Sequence, residues 1–203
     1  MTDGKPEDRI VGLYEENAAA FDAQRSRALF ERPWLEAFAA RLPPGGTVLD
    51  VGCGMAEPMA AWLIGRGFRL TGIDSSPAMI AMCRARFPDH EWRVEDMRRL
   101  ALGRRFDGVL AWHSSFHLTR EDQRALIPRL AAHIAPGGHL MFTSGDEDGV
   151  SIGRWQGEPL YHASLDAAEY RALLEANGFT VPDRPLRGGE PGDATAWLAR
   201  RDR

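Results

Sequence analysis

The chain has 203 residues, 44% of them hydrophobic, and a formal net charge of −4. That length and content suit one domain (residues 1–203) with a substantial core, and the negative charge argues against a nucleic-acid partner. No apolar run approaches the roughly 20 residues of a membrane span, and the polar stretch from Met1 to Arg9 is unlike a secretory signal.

Two cysteines, Cys53 and Cys83, stand in no metal-ligand spacing and form no disulfide framework. They predict a reduced, cytoplasmic protein. Lys5 is the only lysine and lies near the terminus, which excludes a lysine base or Schiff base.

Apolar residues at helical spacing predict helices over Ile10–Ala23 and Ala28–Ala40, a cap spanning residues 1–42. Pro43-Pro44-Gly45-Gly46 stops the second helix, and a core of residues 43–203 begins with a strand over Thr47–Asp50. Pro58 suits a first helical position. Arg69–Ile73 reads as strand two and ends at Asp74. Ser75 or Ser76 can cap a helix from Pro77 to about Arg86. Glu91–Val94 is strand three and Phe106–Trp112 strand four. Arg120–Ala135 is a helix in which Pro128 predicts a kink. Gly138–Thr143 is strand five. The polar, glycine-rich stretch Ser144–Ser164 reads as a long loop. Asp166–Asn177 is a helix closed by Gly178, and Phe179–Val181 and Thr195–Ala199 are the last strands. Arg187–Gly192 reads as a surface turn. Alternating strands and helices predict an α/β fold: a doubly wound, mostly parallel, seven-stranded Rossmann-like sheet in a three-layer αβα sandwich under the helical cap.

Strand one ends in Asp50 and breaks into Gly52-Cys53-Gly54-Met55-Ala56. A strand, a glycine turn and a helix form the generic nucleotide cradle of open α/β sheets. A dinucleotide fingerprint needs Gly-x-Gly-x-x-Gly, and the third glycine is Glu57 here. Carboxylates at Asp50 and Glu57 oppose a pyrophosphate and favour a cationic ligand without phosphates. S-adenosylmethionine carries a sulfonium, an ammonium and an adenosine. Asp74, 24 residues after Asp50, can accept both ribose hydroxyls; the alternative is an Asp that caps its own turn.

Asp50-Val51-Gly52-Cys53-Gly54 resembles the first motif of class I S-adenosylmethionine-dependent methyltransferases, and the resemblance runs from about Tyr14 to the C-terminus. One departure is Ala56, where the family often has glycine. The resemblance implies S-adenosylmethionine as cofactor, S-adenosylhomocysteine as product, and adenine recognition by Asp96 with the Met97 N–H. Asp50, Gly52 and Gly54 would hold the methionine end. Ser75, Met79 and Trp112 would pack on the cofactor, and Tyr14, from the cap, would reach its carboxylate. Phe21 and Arg25 share that cap.

Methyl transfer is an in-line displacement from an activated leaving group, so the protein has to align the acceptor, exclude water and, where needed, remove a proton. His113 directly follows strand four and is the candidate base; shaping the pocket is its alternative role. His117, Trp155, Tyr161 and His162 are candidates for the substrate wall. The amino-methyltransferase run and the metal-dependent catechol carboxylate are missing after strand four, where the chain reads His113-Ser114-Ser115-Phe116, so no metal is expected, and neither Cys53 nor Cys83 follows a proline as a cytosine-C5 nucleophile would. The expected function is methyl transfer to a small-molecule acceptor, by a monomer or homodimer without nucleic-acid or membrane partners. A nicotinamide-dependent oxidoreductase and a non-catalytic cofactor-binding protein are the alternatives.

Overall fold

The apolar run Val48-Leu49-Asp50-Val51 lies in the middle of the sheet, where both faces are covered. A computed structural model describes residues 5–145, 147–182, 186–187 and 194–202. The cap contributes α1 (Pro6–Glu16), α2 (Ala18–Gln24) and α3 (Arg32–Ala39). The core follows with β1 (Thr47–Val51), α4 (Met59–Gly65), β2 (Arg69–Asp74), α5 (Pro77–Arg86), β3 (Glu91–Val94), β4 (Phe106–Ala111), α6 (Arg120–Ala132) and β5 (Ile134–Ser144). The rest is β6 (Gly149–Trp155), β7 (Glu158–Ser164), α7 (Ala167–Ala176), β8 (Phe179–Thr180), β9 (Leu186–Arg187) and β10 (Thr195–Arg201).

The sheet runs β3-β2-β1-β4-β5-β10-β8, seven strands along its path, with the short β9 paired to β10. β1 to β5 are mutually parallel, and β10 is antiparallel to both β5 and β8. Strand order reverses between β1 and β4, which opens a crevice at their carboxyl ends. Side chains alternate across the sheet. Leu49, Val109 and Phe142 face α6 and α7, where they meet Leu126, Leu130 and Leu174. Val48, Leu110 and Met141 face the other way, onto Leu35 and Phe38 of α3, Leu63 of α4 and Ile80 of α5.

Four expectations change. The helix expected over Ile10–Ala23 is two helices. Asn17 turns its side chain back and donates Nδ2–H to the Leu13 carbonyl at 2.9 Å, ending α1. The helix expected from Ala28 starts at Arg32, because Pro33 is tolerated only in a first turn. The helix expected to run to Ala135 stops at Ala132, with Pro128 inside it, and β5 begins at Ile134. The largest change is in Ser144–Ser164: Ser144 ends β5, and residues 149–164 form an antiparallel hairpin rather than a loop. Gln156 (φ +52°) and Gly157 (φ +82°) both take left-handed conformations, the geometry of a two-residue type I′ turn that matches strand twist. Of the turn expected at Arg187–Gly192, Arg187 belongs to β9 and residues 188–192 lie outside the described residues.

Candidate active site

A cavity of about 340 Å³ opens at the carboxyl ends of β1, β2 and β4, beneath α1 and α2. Its floor is the glycine turn. The N–H groups of Gly52 and Cys53 donate to the Ile73 carbonyl at 2.8 and 3.0 Å, and the Gly54 N–H donates to Asp74 Oδ2 at 2.9 Å. Gly52 (φ +74°) also passes under the loop after β4: a Cβ there would lie 2.4 Å from Ser114 Cβ. Ser114 is held by its Oγ–H, which donates to the Val51 carbonyl at 2.7 Å. Ala56 adopts the conformation its glycine counterpart would take freely, φ +69°, at a cost of about 1 kcal/mol.

Two carboxyl groups face this floor. Asp50 is only 3% exposed and lines the cavity, and no protein donor among the described residues bonds its carboxylate. Burial, with the charge of Asp74 behind it, pushes its pKa up to about 7. Asp74 accepts from the Gly54 N–H on Oδ2 and from the Ser76 N–H on Oδ1, each at 2.9 Å. Burial raises its pKa as well, and the amide donors oppose that rise. Asp74 therefore does what the turn-capping alternative required, while its remaining lone pairs border the cavity. Ser76, not Ser75, caps α5, accepting from the Met79 N–H at 3.1 Å. Ser75 and Met79 line the cavity wall. Glu15 was not anticipated from the sequence: its Oε2 accepts from Ser76 Oγ–H and, at 3.0 Å, from the Ala78 N–H, tying α1 to the start of α5.

Asp96 and Met97 stand at the far wall. Burial favours the neutral form of Asp96, but the Arg98 side chain and N–H outweigh it and hold its pKa low. Arg98 Nε and Nη2 both reach Oδ2, at 2.9 and 2.7 Å. A ligand amino group would have to share this carboxylate with Arg98.

Glu57 is not the free charge that the sequence suggested. It lies between Arg27 and Arg86, 3.2 and 3.4 Å away, which leaves Asp50 and Asp74 as the cavity-floor carboxyl groups with no cationic partner among the described residues.

The cap closes over the cavity through aromatic contacts. Tyr14 stacks on Trp155 at 5.2 Å and meets Phe21 edge-on at 5.5 Å. His117 Nδ1 lies 2.9 Å from the Tyr161 carbonyl, which can only accept, so the proton sits on Nδ1. Nε2 then accepts the Tyr14 O–H at 3.1 Å. Tyr14 was expected to reach toward a ligand carboxylate; here its hydroxyl is engaged by His117. Burial, with the nearby Asp74 charge, raises the Tyr14 pKa to about 12, and burial lowers that of His117 to about 4.

Among the substrate-wall candidates, His117 and His162 line the cavity, and Phe116 bridges them at 4.8 and 5.2 Å. Trp155 and Tyr161 do not line it. The Trp155 ring covers the outside of Tyr14 and donates Nε1–H to Gln24 at 3.3 Å, and the Tyr161 ring packs on Ile10. Tyr161 contributes its carbonyl instead.

His113 sits just past β4 at φ +48°, pinned by its N–H donating to Thr143 Oγ1 at 2.8 Å. Its ring opens on the cavity beside Trp112, at 5.3 Å, and is exposed on that side. The protein packed around its other sides, with the Arg25 charge, brings its pKa down to about 4, so the imidazole is neutral at physiological pH. Arg25 itself is paired with the buried Glu31 at 2.7 Å. Trp112 Nε1 and Glu31 Oε2 are buried without hydrogen-bond partners. Among the described residues no cluster of three or more His, Cys, Asp or Glu side chains is gathered for a metal, and no helix is long and apolar enough to cross a membrane.

Comparison with known proteins shows the family. Residues 21–183 match the family model for the methyltransferase domain. A probable S-adenosylmethionine-dependent methyltransferase from Mycolicibacterium smegmatis is 31% identical over 177 residues, 86% of this chain and 64% of that protein. The 2-methyl-6-phytyl-1,4-hydroquinone methyltransferase of a Synechocystis strain is 29% identical over 145 residues, 68% of this chain and 45% of that one. The chain thus spans less than two thirds of the length of these curated relatives. Among solved structures, an amino pentose methyltransferase from Micromonospora echinaspora, with S-adenosylmethionine bound, superposes with a TM-score of 0.70 at 23% identity, covering 92% of this chain and 96% of that one. The family match, spread across both the cap and the sheet, together with the glycine floor between Asp50 and Asp74, places this chain in the methyltransferase-domain family of class I, S-adenosylmethionine-dependent type.

Proposed function

We propose that this chain binds S-adenosylmethionine and catalyses methyl transfer to a small-molecule acceptor. The observation that carries the reading is Asp50: a buried carboxyl group on the cavity floor with no protein donor. An ammonium group placed there would supply the missing partner and hold the carboxylate ionised. A phosphate in the same position would meet two carboxyl groups and gain no side-chain cation, since Arg25 and Arg98 are already paired. The residues fit the cofactor in other respects. Gly52 and Gly54 keep the floor low, Asp74 borders the expected ribose position, and Asp96 with the Met97 N–H borders the adenine end. Ser75, Met79 and Trp112 wall the space between.

Bound, the cofactor would supply an activated methyl group on sulfur. This chain's own work is then placement. The aromatic lid of Tyr14, Phe21 and Trp155 excludes water from above. His113, neutral and open to the cavity, accepts a proton from an acceptor hydroxyl or amine as the new bond forms. His117 and His162, with Phe116, wall the acceptor. Such walls suit a small, partly aromatic or amine-bearing molecule rather than a nucleic acid. The free thiols Cys53 and Cys83 support a reducing, cytoplasmic setting.

Titration calorimetry with S-adenosylhomocysteine and with NADH tests the cofactor. Binding of the first alone is expected, and binding of NADH alone would overturn the reading. Transfer of a radiolabelled methyl group to small molecules in cell extract tests catalysis; cofactor binding without transfer would leave a binding protein.

A further inference from the structure

β6 and β7 form a sheet of two strands separate from the main one. β7 has a covered face, where Tyr161 and Ala163 pack on Ile10 of α1. Among the described residues β6 pairs with β7 alone, and its outer edge is bare. Val150 and Ile152 on this strand are 56% and 50% exposed. They lie opposite Ala163 and Tyr161, so they extend the same apolar face past the end of the protein.

The hairpin register identifies the unpaired backbone groups. Trp155 and Glu158 flank a two-residue turn and form a hydrogen-bonded pair, after which bonded and non-bonded pairs alternate. Gly153–Leu160 and Ser151–His162 are therefore bonded pairs. Arg154–Pro159, Ile152–Tyr161 and Val150–Ala163 are not, in keeping with Pro159 having no N–H. Val150, Ile152 and Arg154 consequently aim their N–H and C=O groups outward, where no backbone partner meets them among the described residues. Such an edge is a template for another strand.

The edge is complementary to itself. In Asp148-Gly149-Val150-Ser151-Ile152-Gly153-Arg154, each residue mirrors its opposite about Ser151. Val150 answers Ile152, Gly149 answers Gly153, and Asp148 answers Arg154. An antiparallel copy centred on Ser151 sets Val150 against Ile152 of the second copy as hydrogen-bonded pairs, and Asp148 against its Arg154. Both charges are exposed and within reach: Asp148 leans on Arg120, and Arg154 rests on the Gly157 carbonyl. A foreign strand would need no such symmetry, whereas a two-fold interface requires it.

We infer that β6 is the edge through which two copies of this chain pair, antiparallel about Ser151, into a continuous four-stranded sheet. The pairing also bears on the cavity, because the adjoining β7 carries His162 and the carbonyl that holds His117.

Sedimentation velocity on the whole chain tests this, with circular dichroism to verify folding. The wild-type protein should sediment as a dimer. Ile152→Pro removes an outward N–H that the hairpin does not use, and should give a folded monomer. Asp148→Arg and Arg154→Asp should each weaken association by at least roughly tenfold, and the double reversal should restore it. Should Ile152→Pro misfold, the charge reversals decide. A wild-type protein that stays monomeric up to its solubility limit would overturn the inference. So would a dimer indifferent to either single reversal.

Discussion

The Gly54 amide donates to Asp74 Oδ2 at 2.9 Å, binding the turn after β1 to the end of β2. One carboxylate thereby shapes the cavity floor and borders the expected ribose position. Asp74→Ala should lose both. Calorimetry with S-adenosylhomocysteine is expected to show at least tenfold weaker binding, and thermal unfolding a loss of about 1–3 kcal/mol from the stranded amides. Unchanged affinity would remove Asp74 from the binding site.

The two glycines of the turn should not respond alike. Gly52→Ala places a Cβ 2.4 Å from Ser114 Cβ, and the loop after β4 would have to move. At Gly54 the nearest atom to such a Cβ is Phe21 Cε1 at 3.8 Å, leaving only the strain of φ +52°. Gly54→Ala should therefore cost about 1 kcal/mol and Gly52→Ala at least twice that. Chemical denaturation of both variants checks the order, and the reverse order would show that the contact with Ser114 does not govern the turn.

Asp50 predicts two pH dependences. Its carboxyl must be ionised to pair with an ammonium, and in the free protein its pKa is about 7. Cofactor affinity should thus fall as pH drops below about 7, approaching tenfold per pH unit. Stability of the free protein runs the other way. The folded-state pKa lies above the ordinary 3.8, so the folded chain holds a proton that the unfolded chain releases between those values. Stability should decline by up to about 1.4 kcal/mol per pH unit across that window and level off above it. Asp50→Asn should flatten both profiles. A binding profile unaltered in this variant would disconnect Asp50 from the ligand.

His113 is neutral down to a pH of about 4, so it contributes no acid limb between pH 6 and 8. For an acceptor that must lose a proton, His113→Ala should lower kcat by about 10²-fold or more while cofactor affinity changes little. Wild-type turnover in this variant would leave His113 a pocket-shaping residue.

Trp155 tests the lid. Its ring stacks on Tyr14 outside the cavity, so Trp155→Ala leaves every cavity-lining residue in place. Faster cofactor release in stopped-flow measurements, by several-fold, is the expected result. An unchanged rate would show that Tyr14 and Phe21 hold the lid alone.

The sequence by itself determined the alternation of β1 to β5 with α4 to α6 and the turn at Gly52–Gly54. These depend on local signals: alternation of apolar residues, Pro77 at a helix start, and glycines where φ must be positive. Asp50 and Asp74 were legible for the same reason, since a carboxylate at the end of a strand has its position set by that strand. Contacts between distant segments were decided only by the tertiary structure. Glu57 read as a free charge until Arg27 and Arg86 closed on it. Tyr14 and His117 are 103 positions apart, and only the packing of α1 on β7 brings hydroxyl and imidazole together. Glu15 gave no signal at all, because a glutamate on a helix looks alike whether it meets water or the N–H groups of α5. The hairpin at residues 149–164 was hidden because its stability comes from burying Tyr161 and Ala163 against Ile10, an energy that no local pattern carries.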